Sequence, residues 1–148
     1  MEFSVFSDEH FMNQALREAE IAEAEGEIPI GAIVVCQRKI IAKSHNMTEK
    51  LQDVTAHAEI IALGSASEYL GSKYLDQCKL VVTMEPCAMC AGALAWAQVA
   101  ELVYGAYDAK KGFSQYEPML LHPKTKVTGG ILEEDCSQMV KSFFQNKR

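Results

Sequence analysis

The sequence predicts a three-layer α/β/α fold, in which helices cover both faces of a mixed central sheet of about five strands. Segments with a helical spacing of apolar residues alternate along the chain with short β-branched runs, an order that is typical of α/β domains. Only a short turn separates the first two strand-like runs, which adds an antiparallel hairpin to the sheet. A chain of 148 residues is long enough for one domain with one hydrophobic core.

The N-terminal part of the chain is predicted to form a helix followed by the hairpin. Ser7 is a preferred helix-capping residue, and Gly26 is of the type that commonly follows a helix C-terminus. The hairpin strands are expected at 30–36 and 40–42, with the turn at 37–39. The apolar residues of the helix recur at helical spacing: Phe11, Ala15, Leu16, Ala19 and Ala22.

The middle of the chain is predicted to alternate helices and strands. Thr55 or Asp53 is the expected N-cap of the first of these helices, and Gly64 is expected to interrupt the connection after it. Pro86 favours the start of the second helix, because proline is well tolerated in a first helical turn. The elements are, in order, a loop at 44–54, a helix at 56–63, a strand at 79–83, a helix at 87–98 and a strand at 101–106.

The C-terminal part is predicted to contain a long irregular loop at 110–123, a short strand at 126–128 and a closing helix at 133–145. The closing helix is amphipathic. Its apolar side is expected to comprise Cys136, Met139, Val140, Phe143 and Phe144.

Composition excludes several functional classes. The formal net charge of −6 argues against loose, non-specific binding of nucleic acid. Every apolar stretch is shorter than the roughly 18 residues that a membrane span needs, so we expect no membrane association. Residues 1–10 are acidic and lack the pattern of a secretory signal peptide. Together with five cysteines that form no disulfide pattern, this indicates a reducing, cytoplasmic location.

Two short motifs carry candidate metal chemistry: His57-Ala58-Glu59 and Pro86-Cys87-Ala88-Met89-Cys90. Zn²⁺ takes imidazole nitrogen and thiolate sulfur, and three protein ligands leave a fourth tetrahedral position open, as in catalytic sites. His57, Cys87 and Cys90 are therefore candidate ligands of one Zn²⁺ per chain. Glu59 is a nearby carboxylate that is not a ligand. This combination is typical of zinc deaminases, in which the Glu is the general acid and base.

The spacing of the motifs suggests how the site is built. Cys87 and Cys90 are three residues apart and share one helix face, and a helix N-terminus favours thiolates. His57 opens a second helix, so two helix N-termini would face each other. A redox-active Cys-x-x-Cys pair is an alternative, because such pairs also follow a strand and open a helix. Bound zinc, rather than a reversible Cys87–Cys90 disulfide, would discard it.

With this order of elements, the motifs resemble those of the cytidine deaminase-like superfamily and, within it, the bacterial tRNA-specific adenosine deaminases. The resemblance covers most of the chain and implies a cytidine deaminase-like fold, with residues 1–148 as a single zinc-dependent deaminase domain. It rests on the E-x-P-x-G-A stretch at 27–32, on Asn46, and on the stretches 55–60, 85–93, 104–106, 108–110, 130–132 and 143–144.

The resemblance implies hydrolytic deamination of adenosine to inosine at the wobble position of tRNA, with an activated water attacking C6 of adenine and Glu59 moving the protons. The implied partners are a tRNA anticodon stem-loop and a second copy of the chain in a homodimer, with the helix at 88–97 as a candidate interface. The implied substrate contacts are Asn46 with the purine edge, Asp108 with a ribose 2′-OH, the Ala58 backbone with the exocyclic group, and Ile30 and Met84 as apolar walls.

Some positions depart from the family pattern. Tyr107 and Met47 occupy positions that are commonly basic, and 95–98 replaces a more polar stretch. These departures favour an alternative, a deaminase of a free nucleobase or nucleoside such as guanine or cytosine, whereas the E-x-P-x-G-A stretch favours tRNA. A non-catalytic zinc-bearing subunit is a further alternative, against which Glu59 argues. Trp96 is expected to fill the core rather than to form a stacking surface.

Overall fold

A computed structural model of the chain describes residues 6–147. Across these residues, no helix is long and apolar enough to cross a membrane. The elements are α1 (Asp8–Ala24), β1 (Gly31–Cys36), β2 (Lys39–His45), α2 (Thr48–Leu51), α3 (Ala58–Leu70), β3 (Cys78–Met84), α4 (Ala88–Ala97), β4 (Glu101–Ala106), a short 3-10 helix (Phe113–Gln115), β5 (Lys126–Thr128) and α5 (Glu133–Asn146).

The strands form one mixed sheet in the order β2-β1-β3-β4-β5. β1 is antiparallel to both of its neighbours, whereas β3, β4 and β5 run parallel to one another. One core lies between the sheet and α3 and α4, where Ala62 and Leu94 are buried. The other core lies on the opposite face, where α1 and α5 contribute Met12 and Cys136. The predicted α/β/α layers and the mixed sheet are therefore confirmed.

α1 forms as predicted and packs closely on the sheet. Ser7 caps it, because the Ser7 hydroxyl accepts a hydrogen bond from the His10 N–H at 3.1 Å. Gly31 opens β1 where α1 crosses the strand, and a Cβ at this position would overlap the backbone of Ala15 and Ala19. Glycine therefore allows the close approach of helix and strand beside the residues that line the site.

The helix that follows His57 differs from the prediction at both ends. His57 itself is the N-cap residue, so neither Thr55 nor Asp53 caps α3. The Asp53 carboxylate instead accepts hydrogen bonds from the Thr55 N–H and hydroxyl, at 2.8 and 2.7 Å, in a local turn. At its other end α3 continues through Gly64 and stops before Gly71, whose φ of 66° is the left-handed conformation that glycine adopts easily.

The loop predicted at 44–54 contains regular structure. β2 continues to His45, and one helical turn, α2, follows it. The sequence pattern does not indicate α2, because four residues are too few to show a helical period. Its N-terminal backbone is held by a distant group: the buried Glu27 carboxylate accepts hydrogen bonds from the N–H groups of Glu49 and Lys50, at 3.0 and 2.8 Å.

Three further positions correct the sequence-based expectations. Trp96, expected in the core, is 84% exposed, because Leu94 and Ala97 take the core-facing positions of α4. Phe144 is 51% exposed while Phe143 is buried, since neighbouring residues on a helix point about 100° apart. Cys87 is the N-cap residue of α4 and not part of its first turn.

Candidate active site

Three side chains that could bind a metal ion converge where α3 and α4 begin. His57 and Cys87 are the N-cap residues of the two helices, and Cys90 lies in the first turn of α4. The His57 Nδ1 atom lies 3.7 Å from the Cys87 sulfur and 3.5 Å from the Cys90 sulfur. Tetrahedral Zn²⁺, with bonds of about 2.0–2.1 Å to nitrogen and about 2.3 Å to sulfur, would separate such atoms by about 3.6 Å. The donor set and its spacing therefore fit one zinc ion.

The thiols of this cluster differ strongly in acidity. Hydrogen bonds from Cys90 and His57 lower the pKa of the Cys87 thiol to about 3. The pKa of Cys90 is raised, because its thiol is hydrogen-bonded to Cys87 and buried. The hydrogen bond with Cys87 also raises the pKa of His57. Thiols bind a metal ion as thiolates, so the low pKa of Cys87 suits a metal ligand. Elsewhere in the described part of the chain, no three such side chains come as close together.

Glu59 lies beside the metal cluster in the first turn of α3. Glu59 is 4% exposed, and burial raises the pKa of its carboxyl group to about 7. A carboxyl group with a pKa near neutral pH can both accept and return a proton, as general acid–base catalysis requires. The position and the acidity of Glu59 therefore suit the predicted proton-transfer role.

A cavity of about 260 Å³ opens beside the cluster, and His57, Glu59 and Cys87 form part of its wall. Pockets for drug-sized ligands measure roughly 300–1,000 Å³, so this cavity suits a single nucleobase. The fold thus brings together residues from five separate parts of the sequence. All the residues predicted to contact substrate line it: Ile30, Asn46, Ala58, Met84 and Asp108.

Asn46 contributes an unused hydrogen-bond acceptor to this wall. The residue is 5% exposed, and its Nδ2 donates to the Ile28 carbonyl at 3.4 Å. Its buried Oδ1 has no partner among residues 6–147. A buried acceptor without a partner costs about 1–3 kcal/mol. Because Asn46 also lines the cavity, its side-chain amide has unused hydrogen-bonding capacity for a ligand.

The cavity wall also contains residues to which the sequence patterns assign no role in the site: Ile28, Thr48, Glu85 and Lys111. Glu85 is 3% exposed, and its carboxylate accepts a hydrogen bond from the Asp108 N–H at 3.0 Å. In the sequence, Glu85 is a charged residue between an apolar strand and the Cys87 motif, and this position could have indicated a buried functional carboxylate. Glu27 stands in a similar position, shortly before the apolar strand β1.

A second groove, which is apolar, lies between α3 and α4 on the outer surface. Its walls are mainly aliphatic and aromatic: Ile60, Leu63, Tyr74, Ala93 and Trp96. The Trp96 ring is largely exposed beside it. Contiguous exposed apolar surface of this kind commonly marks an interaction site.

Comparison with known proteins gives matches over most of the chain. Residues 6–106 match the family model of the cytidine and deoxycytidylate deaminase zinc-binding region. The tRNA-specific adenosine deaminase of Bacillus subtilis (strain 168) is 42% identical over 146 residues, which cover 95% of this chain and 91% of that protein. A solved tRNA:A34 deaminase is 41% identical, with a TM-score of 0.83, over 88% of this chain and 98% of that one. Guanine deaminase from Nitrosomonas europaea is 26% identical, with a TM-score of 0.79, over 93% of this chain and 84% of that one.

Proposed function

This chain belongs to the zinc-binding cytidine and deoxycytidylate deaminase family, and we propose that it converts adenosine to inosine at the wobble position of tRNA. The substrate is supported by relatives that are 42% and 41% identical, one a tRNA-specific adenosine deaminase and the other a tRNA:A34 deaminase. One observation carries the proposal: the His/Cys/Cys cluster and a buried carboxyl group meet at a cavity of nucleobase size. The reaction consumes one water and releases one ammonia.

His57, Cys87 and Cys90 would hold the Zn²⁺, which when bound lowers the pKa of a coordinated water so that it can attack near neutral pH. Glu59 would take a proton from that water and deliver it to the ring N1 of adenine, while C6 gains the oxygen. A second proton transfer through the same carboxyl group would protonate the departing amine. The burial of Glu59 in the first turn of α3 and its place in the cavity wall support this role.

The cavity walls would hold the adenine between apolar surfaces and polar groups. Ile30 and Met84 would contact the base, and the Asn46 amide would pair with the purine edge. The Ala58 N–H lies in the first turn of α3, where backbone donors have no partner within the helix. It would therefore help to orient the exocyclic group.

Asp108 supports an RNA substrate. Its Oδ1 accepts hydrogen bonds from the N–H groups of Lys110 and Lys111, both at 3.0 Å, and these bonds do not use Oδ2. A ribose 2′-OH would donate to Oδ2, a contact that deoxyribose cannot make. An unpaired base in an anticodon loop can enter the cavity at a small unstacking cost.

A deaminase of a free nucleobase, such as guanine, is the second candidate. It is favoured by the likeness to guanine deaminase from Nitrosomonas europaea, which has the same fold at a TM-score of 0.79. Such an enzyme would need the metal cluster and Glu59 but no contact between Asp108 and a sugar. Substrate comparison therefore separates the two candidates.

We also propose a homodimer in which the groove between α3 and α4 packs against a second copy of the chain. The exposure of Trp96 and the apolar lining of the groove support this face. Trp96→Glu should shift the protein towards the monomer in sedimentation velocity, whereas Phe144→Glu, at an exposed position of α5, should not. A dimer that persists in Trp96→Glu would assign the contact to another face.

The remaining proposals concern organisation and location. We propose that residues 1–148 act as one deaminase domain with one zinc per chain. The helices from both ends of the described chain, α1 and α5, pack on the same face of one sheet, which supports one domain. One cluster of candidate ligands occurs among residues 6–147, which supports the stoichiometry. A tRNA substrate supports a cytoplasmic location.

The test of the proposed function is deamination of an anticodon stem-loop that carries wobble adenosine, run beside free guanine, cytosine and adenosine. Digestion and mass spectrometry would quantify inosine. We expect inosine in the stem-loop and no turnover of the free compounds. A stem-loop with deoxyadenosine at the wobble position is the matched control, and it should react more slowly. Turnover of a free base with no inosine in the stem-loop would replace this proposal by the second candidate.

A further inference from the structure

Glu85 is a buried carboxylate that the proposed chemistry does not use. It follows β3 directly and lies two residues before Cys87. Its Oε1 accepts a hydrogen bond from the Asp108 N–H at 3.0 Å. Its Oε2 accepts from the Ser114 N–H at 3.0 Å and from the Ser114 hydroxyl at 2.7 Å. One carboxylate therefore binds both ends of residues 108–114, which we call the Asp108 loop.

Other contacts hold the Asp108 loop against the same end of β3. The Phe113 N–H donates to the Pro86 carbonyl at 2.9 Å, and Gly112 forms an isolated β-bridge with Cys87. Gly112 has a φ of −64°, which any residue can adopt, so its lack of a side chain has a steric cause. A Cβ at this position would overlap the Glu85 carboxylate. The loop is thus closely fitted around this one side chain.

The Asp108 loop forms part of the cavity wall through Asp108 and Lys111. The Asp108 backbone is held by Glu85, and its Oδ1 is held by two N–H groups of its own loop. We propose that Glu85 is a positioning residue, which fixes Asp108 relative to the metal cluster and thereby sets the affinity for the nucleotide sugar. This inference rests on the proposed function, because the contact between Asp108 and ribose is part of it.

A carboxylate suits this role because three donors converge on its two oxygens. No ion pair to Glu85 occurs among residues 6–147, so hydrogen bonds alone compensate its buried charge. Glutamine has the same shape but only one acceptor oxygen, and its NH₂ group would face a donor at one end of the loop. Glu85→Gln should therefore release one end of the Asp108 loop and leave the metal ligands in place.

The first test is hydrogen–deuterium exchange of the zinc-loaded protein. Glu27→Gln is the matched control, because Glu27 is similarly buried and accepts hydrogen bonds from two N–H groups of a different element, α2. We expect Glu85→Gln to accelerate exchange in residues 108–114 but not in 48–51, and Glu27→Gln to do the reverse. Unchanged exchange in 108–114 would overturn the proposal.

The second test is steady-state kinetics on the stem-loop. Loss of one hydrogen bond to a charged group should raise the KM of Glu85→Gln about tenfold. Its kcat should stay within about twofold of the wild type, since the sugar contact is made equally in ground and transition states. Zinc content should be unchanged, and Glu117→Gln, which removes an exposed charge, should leave KM unchanged. A lower kcat together with zinc loss would assign Glu85 a merely structural role.

A double-mutant cycle shows whether Glu85 acts through Asp108. In the Asp108→Ala background, Glu85→Gln should change KM by less than about twofold, because the contact that it positions is already absent. The same loss in both backgrounds would overturn the inference. If the wild type deaminates a free base and not the stem-loop, the proposed function fails by itself. The exchange measurement still decides, independently of the substrate, whether Glu85 holds the Asp108 loop.

Discussion

Replacing Asn46 with alanine should separate its contribution to stability from its contribution to the reaction. In the folded protein its amide donates one long hydrogen bond, to the Ile28 carbonyl at 3.4 Å. That carbonyl also accepts from the Ile30 N–H at 2.9 Å, so it stays paired in the variant. This hydrogen bond stabilises the folded wild type by at most about 1 kcal/mol, whereas burying the unpaired Oδ1 destabilises it by about 1–3 kcal/mol. The free energy of unfolding should therefore stay within about 1 kcal/mol of the wild type or increase.

The reaction should respond more strongly than the fold. Without the Asn46 amide, a polar group on the purine edge is buried without a partner, at a cost of about 1–3 kcal/mol. This cost corresponds to a fall of about 5- to 150-fold in kcat/KM. Initial rates of inosine formation on the stem-loop measure kcat/KM. Urea unfolding followed by circular dichroism measures the free energy of unfolding.

Ser44→Ala is the matched control, since Ser44 is a buried polar residue two positions earlier. Its hydroxyl donates to the Ala58 carbonyl at 2.6 Å, so its loss should lower the free energy of unfolding by about 0.5–1.5 kcal/mol. Two results for Asn46→Ala would refute the reasoning. One is a kcat/KM within about twofold of the wild type. The other is a destabilisation of about 3 kcal/mol or more, which would mean that Asn46 supports the fold.

Three further predictions concern the metal cluster, the hairpin and the buried thiols. Cys87→Ser should lose bound zinc in metal analysis, and full occupancy would contradict the ligand assignment. Replacing Gln37 and Arg38, whose φ values are 52° and 66°, by Asn-Gly should raise the free energy of unfolding by about 1 kcal/mol in urea unfolding; an unchanged midpoint would argue against strain there. Burial raises the pKa of Cys78 and Cys136 to about 12, so both should resist iodoacetamide at pH 8 until the protein unfolds, and rapid alkylation in the native state would contradict this.

The sequence predicts those features that depend on residues close together in the chain. The Ser7 cap, the helical spacing in α1 and the β-branched strands are local, and each agrees with the structure. The metal cluster could also be anticipated, because each of its donors lies at the start of a helix. Once two helix N-termini face each other, the imidazole and the thiols meet.

Features that depend on distant contacts could not be predicted in this way. α2 is held by Glu27, and the Asp108 loop by Glu85, and neither bond leaves a periodic pattern in the sequence. The N-cap of α3 shows a different limit. Asp53 and Thr55 have the chemistry of caps, but their hydrogen bonds with each other form a separate turn, and the helix begins after His57.

The central claim is that one metal ion and Glu59 act together in the cavity. The most direct test is whether deamination of wobble adenosine depends on zinc. The measurement is the rate of inosine formation by reduced, metal-free protein as Zn²⁺ is added from zero to two equivalents per chain. We expect the rate to rise linearly and to stop rising at one equivalent. Glu59→Gln should bind the same single equivalent and remain inactive. Full activity of the metal-free protein, or restored activity in Glu59→Gln, would contradict the claim.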